Sequence, residues 1–178
     1  MNANHSQIWS TCETPLGTLT LTANGDGLDG LFFPGRSPAL DDADRCPERF
    51  EQIAGQLEEY FSGARQRFEV DLDLSCGTQF QRSVWQQLQS IPYGETISYT
   101  QLALRLGRLD RVRAVGAAVG RTPVPVIVPC HRVIGSDGQL TGYLGGLQRK
   151  QALLDMEAAV HDGRGVPTAL GPRQLALL

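Results

Sequence analysis

Apolar and polar positions alternate along the first thirty-odd residues instead of recurring at helical spacing. Gln7 to Thr14, Thr18 to Ala23 and Leu28 to Phe33 each read as a strand, and Pro15-Leu16-Gly17 and Asn24-Gly25-Asp26-Gly27 between them carry turn residues. The pattern predicts a meander of three strands. Past Pro34, Pro38 and Pro47 the period changes. Phe50, Ile53, Leu57 and Phe61 recur every three or four residues and predict a helix over 48–62, with a strand near 68–72 behind it.

The second half reads as short helices. Thr78 with Gln81, and Ser98 with Gln101, have the spacing of capping boxes, in which the first side chain and the fourth satisfy each other's orphan amides. Phe80, Val84, Trp85 and Leu88 share the face of the first of these helices, with Trp85 as a core anchor. After the turn Ile91-Pro92-Tyr93-Gly94, the residues Leu102, Ala103 and Leu106 give a second helix closed by Gly107. Asp110 is the expected cap of a third over 111–121. The last two form a helix-turn-helix, whose second member carries Arg111, Arg113 and Arg121. That helix also contains Gly116 and Gly120, each costing about 1 kcal/mol relative to Ala. Small residues there suit a close approach, either to a packed helix or to a nucleic-acid groove edged by arginines. The expected organisation is an N-terminal domain over 1–76, a second domain over 77–160 and a flexible tail over 161–178. The fold class is α/β (α+β), a small sheet domain followed by a mostly helical one.

Composition bounds this picture more than it sharpens it. With 178 residues, 41% of them hydrophobic, the chain can bury one core or two small ones sharing an interface. It lacks the roughly 18-residue apolar run of a membrane helix, and Met1 to Ser10 lack the pattern of a signal peptide, so a soluble, cytoplasmic protein with no membrane partner is expected. The cysteines Cys12, Cys46, Cys76 and Cys130 have neither paired nor histidine spacing, which argues against a disulfide framework and a zinc site. Net charge is −3, yet it is unevenly spread: 13 acidic against 5 basic residues over 1–79, and 3 against 9 over 80–150. The basic excess coincides with the helix-turn-helix, as expected of an acidic scaffold followed by a domain that meets an anion.

The chemistry concentrates in Thr122-Pro123-Val124-Pro125-Val126-Ile127-Val128-Pro129-Cys130-His131-Arg132-Val133. A residue before proline is pushed away from helix, so this segment is expected to be extended and stiff, with Cys130 at its end. His131 beside it is a base able to raise the thiolate fraction. Neighbouring side chains diverge in a strand, so His131 would act through a bent backbone or a bridging water. Cys12, Cys46 and Cys76 are read as small apolar fillers.

Pro129-Cys130-His131-Arg132-Val133, preceded by Arg113-Ala114-Val115-Gly116 and followed by Gly142-Tyr143-Leu144-Gly145-Gly146, resembles the O6-alkylguanine-DNA alkyltransferase family. The likeness runs from about Gly77 to Glu157 and includes Ile91-Pro92-Tyr93-Gly94-Glu95-Thr96 and Ser98-Tyr99. The first domain resembles that family's ribonuclease-H-like domain in strand order. The resemblance implies DNA repair by irreversible transfer of a methyl or larger alkyl group from O6 of guanine, with O4-alkylthymine a second candidate substrate, to Cys130. Each molecule acts once, without a cofactor or a metal. His131 would take the thiol proton, Glu157 would orient His131, and Tyr99 would offset charge on the departing base.

The implied partner is double-stranded DNA containing alkylated guanine, entered from the minor groove by a monomer, with cooperative binding left open. Arg113 would fill the gap left by a rotated nucleotide, Tyr99 would crowd the phosphate, and Ala114, Gly116, Ala117 and Arg121 would lie along the DNA. The carbonyls of Cys130 and Val133 would accept from the guanine amino group, the Leu144 amide would donate to O6, and Tyr143 would line the pocket. Two positions depart from the family pattern. Thr122 stands where Asn is common and is read as the loss of an amide donor; Leu144 replaces Ser or Gly and narrows the pocket. The alternatives are a cysteine hydrolase, a damage-binding or regulatory helix-turn-helix protein with weak or no transfer, and a cysteine silenced by Thr122.

Overall fold

A computed structural model describes residues 7–25 and 27–167. The alternating segments form an antiparallel sheet in the order β1-β2-β3, with β1 at Ile8–Thr14, β2 at Gly17–Asn24 and β3 at Gly27–Phe32. Register runs from Ile8 opposite Ala23 to Thr14 opposite Gly17, which places Leu19 and Leu21 of the central strand on the buried face. That face is covered by α1 (Glu51–Phe61) through Leu57, Tyr60 and Phe61. The helix starts later than its periodicity suggests. Pro47–Phe50 makes a 3-10 turn first, with Pro47 at its first position, where a missing N–H costs nothing.

The expected strand at 68–72 is not a strand. Leu72 alone bridges to Leu28, through Leu28 N donating to Asp71 O and Asp73 N to Leu28 O, while Phe68 and Val70 pack as extended chain without a ladder. Apolar alternation reports a buried face and is silent about whether a neighbouring backbone is in register to bond.

In the second half α2 is Gln79–Leu88, α3 is Tyr99–Arg105, α4 is Val112–Val119 and α5 is Leu147–His161. Both capping boxes are formed, Gln81 N to Thr78 Oγ1 at 3.2 Å and Gln101 N to Ser98 Oγ at 3.1 Å, each with the returning glutamine bond. Asp110 does not cap α4. A 3-10 turn at Leu109–Arg111 intervenes, Arg111 occupies the cap position without a side-chain bond, and Asp110 instead pairs with Arg111 at 3.5 Å. A two-residue parallel pairing joins β4 (Ile97–Ser98) to β5 (Val133–Ile134). Trp85 is the anchor its position suggested: it is buried, and its Nε1 donates to Ala118 O at 2.9 Å, fastening α2 to α4.

The proline segment is folded back rather than extended. Val128 N donates to Val124 O at 2.9 Å, Pro125 bridges to Val128, and Val126 adopts φ 75°, a left-handed conformation that costs a β-branched residue about 1–2 kcal/mol. Proline removes helix as an option but does not enforce a straight path. Leu31 N of the edge strand β3 donates to Pro123 O at 2.9 Å, so this turn is seated against the sheet. No helix among the described residues is long and apolar enough to cross a membrane. Of the expected tail, Val166 packs against the core, and residues 168–178 lie outside the described residues.

Gly77, just ahead of α2, sits against the ring of Trp85; a Cβ there would overlap ring carbons Cζ3 and Cη2. The ring has no freedom to retreat, being buried and pinned by its indole bond. Gly77→Ala is expected to destabilise the fold by about 1–3 kcal/mol, measured by urea denaturation. An unchanged midpoint would show that the α2–α4 contact is looser than drawn.

Candidate active site

The segment that carries Cys130 and His131 ends in a single 3-10 turn, Cys130–Arg132, closed by Val133 N on Cys130 O. The backbone is thus bent at Cys130 and not extended, and all three side chains of the turn are buried in different surroundings. His131 and Arg132 point to Glu157 of α5, which is itself fully buried. A buried carboxylate is stable only if its lone pairs are filled, and here they are. Glu157 Oε1 accepts from His131 Nε2 at 2.9 Å, Arg132 Nη2 at 2.8 Å and the Tyr60 hydroxyl at 2.5 Å. Oε2 accepts from Arg132 Nε at 2.8 Å and Gly94 N at 3.3 Å. Burial alone would raise the acid's pKa, but His131 and Arg132 together hold it far below the usual carboxylate range. Glu157 is therefore an anion at any ordinary pH.

The anion fixes the histidine. A carboxylate can only accept, so His131 Nε2 carries the hydrogen and Nδ1 keeps its lone pair. Nδ1 makes no hydrogen bond to a described residue. Burial pushes the ring's pKa down, with Glu157 opposing, so the imidazole is neutral at pH 7 and Nδ1 is a free base.

Cys130 is 3% exposed, and burial pushes its thiol from 9.0 up to about 11. Four groups oppose that rise: the Thr122 hydroxyl, the charge of Lys150, and the amides of Cys130 and His131. The site is thus a thiol at neutral pH, surrounded by groups that favour its anion once a base removes the proton. Lys150 is fully buried, with Nζ donating to Val133 O at 2.6 Å and Thr141 O at 2.9 Å. These bonds join β5 to the loop 141–146.

Tyr99, Arg113, Gly116, Tyr143 and Leu144 line one cavity of about 580 Å³ between α3, α4 and that loop. Arg121 lines a neighbouring cavity of about 370 Å³ with Thr122, Pro125 and Leu144, and Arg36 of the N-terminal half borders both. Tyr143 stands edge-on to His131, ring centres 6.4 Å apart, and burial followed by the Cys130 charge pushes its phenol well above the usual range. Ala114 and Ala117 join neither cavity; they lie with Arg113 on the exposed face of α4, while Val115, Ala118 and Val119 face inward. A Cβ at Gly116 or Gly120 would meet only ordinary contacts at 3.6 Å or more. Internal packing therefore does not demand these glycines. Val133 lines neither cavity and is fully buried.

Thr122, expected as the loss of an amide donor, uses its one hydroxyl hydrogen locally, donating to Val119 O at 2.8 Å at the C-terminal end of α4. The sequence reading missed Tyr60, Arg132 and Lys150. Tyr60 lies on the same helical face as Leu57, Arg132 stands inside the motif, and Lys150 is the sole lysine. None of them has a local pattern that announces a buried charge network. Cys76, read as a filler, is exposed. Among the described residues no group of three or more His, Cys, Asp and Glu side chains is arranged to hold a metal ion.

A thiol that titrates higher folded than unfolded binds its proton more tightly in the folded state, so its contribution to stability is present below pH 9 and is lost as pH rises toward about 11. Denaturation from pH 8 to 11 is expected to show the wild type losing stability relative to Cys130→Ser across that window. Parallel pH profiles would mean that Cys130 titrates normally.

Comparison with known proteins matches both halves of the chain. Residues 79–159 match the 6-O-methylguanine DNA methyltransferase DNA-binding domain, and residues 8–74 match the ribonuclease-like domain of the same family. The methylated-DNA--protein-cysteine methyltransferase of Mycobacterium tuberculosis is 45% identical over 155 residues, covering 84% of this chain and 91% of that protein. The protein of that name from Methanosarcina barkeri is 46% identical over 148 residues, with 82% and 93% covered. The crystal structure of M. tuberculosis OGT in complex with DNA superposes with a TM-score of 0.80 at 40% identity, covering 95% of this chain and 99% of that one.

Proposed function

The chain belongs to the 6-O-methylguanine DNA methyltransferase family, and from that premise we propose that Cys130 is the residue that takes the alkyl group from O6 of guanine in duplex DNA. Its activity is direct DNA repair by methyl transfer to a protein cysteine. The observation that carries the assignment of Cys130 is the neutral, Glu157-oriented imidazole in the same turn, with the lone pair of Nδ1 unengaged.

His131 Nδ1 takes the thiol proton, directly or through one water, and the imidazolium that results faces the Glu157 carboxylate. The thiolate attacks the alkyl carbon in line; the S–C bond forms as the C–O6 bond breaks, and the electron pair leaves on the guanine, which takes up a proton from water as the imidazolium returns its own to solvent. The Tyr99 hydroxyl, which accepts from Thr141 Oγ1 at 3.2 Å, is placed in the cavity to donate to that base. The Leu144 amide reads the base edge and Tyr143 walls the pocket; the Cys130 carbonyl already accepts from Val133 N and the Val133 carbonyl from Lys150 Nζ at 2.6 Å, which leaves each a single lone pair for the guanine amino group. The product is a thioether, which nothing in the site can hydrolyse, so each molecule turns over once.

Reaching a carbon inside a duplex requires the nucleotide to leave the stack. The exposed face of α4, Arg113-Ala114-Gly116-Ala117, is flat enough to lie in the minor groove, with Arg113 in the gap and Arg121 toward a phosphate. The acidic half, residues 1–76, acts as scaffold and residues 77–160 as the DNA-binding and transfer domain, in a cytoplasmic monomer. Weighing the intact protein after incubation with a duplex containing O6-methylguanine tests the assignment. The wild type is expected to gain one methyl group and Cys130→Ser none, while both bind the duplex with similar affinity. A methylated Cys130→Ser protein overturns the choice of residue; an unmodified wild type that still binds points to a damage-binding protein.

A further inference from the structure

The loop 141–146, which carries Tyr143 and Leu144 into the base cavity, is held from the opposite side by the N-terminal half. Phe33, one residue past β3 and 3% exposed, meets the Tyr143 ring edge-on at 5.6 Å and 62°. It also lies directly against Gly145: a Cβ there would stand 2.8, 2.9 and 3.0 Å from Phe33 Cε2, Cζ and Cδ2. Arg149 of α5 completes a clamp. Its guanidinium lies over the Phe33 ring at 5.6 Å, Nε donates to Leu16 O in the β1–β2 turn at 2.9 Å, and Nη1 donates to Gly145 O at 3.0 Å. Gly146 N donates to Tyr143 O at 3.0 Å, so the loop is a tight turn that moves as a unit.

We propose that Phe33, just past the N-terminal sheet, is a positioning residue for the transfer reaction: through Gly145 and Tyr143 it sets where the loop 141–146 stands against the His131 ring, and so fixes the shape of the cavity lined by Tyr143 and Leu144. The inference rests on the reading of Cys130 as acceptor. It gives the N-terminal half a part in the chemistry that needs no contact with DNA. The two bonds from α5 to the loop, Lys150 Nζ to Thr141 O and Arg149 Nη1 to Gly145 O, fix backbone, and Thr141 Oγ1 donates to the Tyr99 hydroxyl. Phe33 makes the ring contact with Tyr143 from the N-terminal half, so the tilt of that wall follows from its size.

The test uses full-length Phe33→Leu, Gly145→Ala and the double variant, with single-turnover rates on a duplex containing O6-methylguanine and on the free O6-methylguanine nucleoside. Duplex Kd and Tm are measured alongside. Phe33→Leu is expected to slow transfer from both substrates by about tenfold, the scale of a sub-ångström misplacement, with duplex Kd within about twofold of wild type. Gly145→Ala, which adds a methyl group against the ring and leaves the sheet untouched, is expected to slow transfer as well. The double variant is expected to react faster than Gly145→Ala alone, because the smaller side chain makes room for the added methyl. Unchanged rates in Phe33→Leu, with only Tm lowered, overturn the proposal, as do losses that simply multiply in the double variant. Failure of the acceptor assignment is separately visible as methylation of Cys130→Ser.

Discussion

The arrangement turns on a carboxylate placed where water cannot reach it. Glu157 has no solvent to satisfy it, and an uncompensated buried charge of this kind costs several kcal/mol. The chain meets that demand by bringing four residues from three places: Tyr60 from α1, Gly94 from the turn before β4, and His131 and Arg132 from the turn that follows the proline segment. Removing any one leaves the anion short of a partner. The two halves of the molecule are joined at this point because Tyr60 belongs to the N-terminal part and the rest to the C-terminal part. The tautomer of His131, and with it the free lone pair at Nδ1, is a consequence of the same ion.

Reactivity at Cys130 follows from the imbalance between two effects. Burial makes the thiol a weaker acid than in water, which protects it from incidental reaction, and the surrounding Thr122, Lys150 and backbone amides stabilise the anion only partly. A thiol pushed to about 11 needs a base to lose its proton at neutral pH, the part proposed for His131. The strained turn at Val126 and the Thr122–Val119 bond lie between α4 and this thiol, so the helix proposed to face DNA and the proposed nucleophile share one short connection.

Much of this was legible in the residues, for reasons that differ by element. The capping boxes at Thr78 and Ser98 were readable because they are local: four residues contain both halves of the bond. The meander was readable because glycine turns set the register. Asp110 failed as a cap because the sequence shows a side chain able to cap but not where the first helical turn begins. The segment 122–129 failed because proline limits one dihedral angle, while its path was decided by the sheet edge at Leu31 and by burial of Val126. Cys130 and His131 stood in the motif and Glu157 was given by the family resemblance alone, but Tyr60, Arg132 and Lys150 are partners that only the packed structure brings to the site. The one bond that Thr122 makes, to Val119 O, was not foreseen by counting donors against Asn.

The claim on which the account stands is that His131, held by Glu157, is the base for Cys130. His131→Gln keeps a donor for Glu157 but removes the base, so its transfer rate on methylated duplex, followed from neutral pH upward and compared with wild type, isolates that role. The account predicts a deficit of about 10²-fold or more at neutral pH that shrinks as pH rises toward about 11, where the thiol ionises without help. A deficit of the same size at every pH would contradict it, leaving His131 a structural partner of Glu157 and no more.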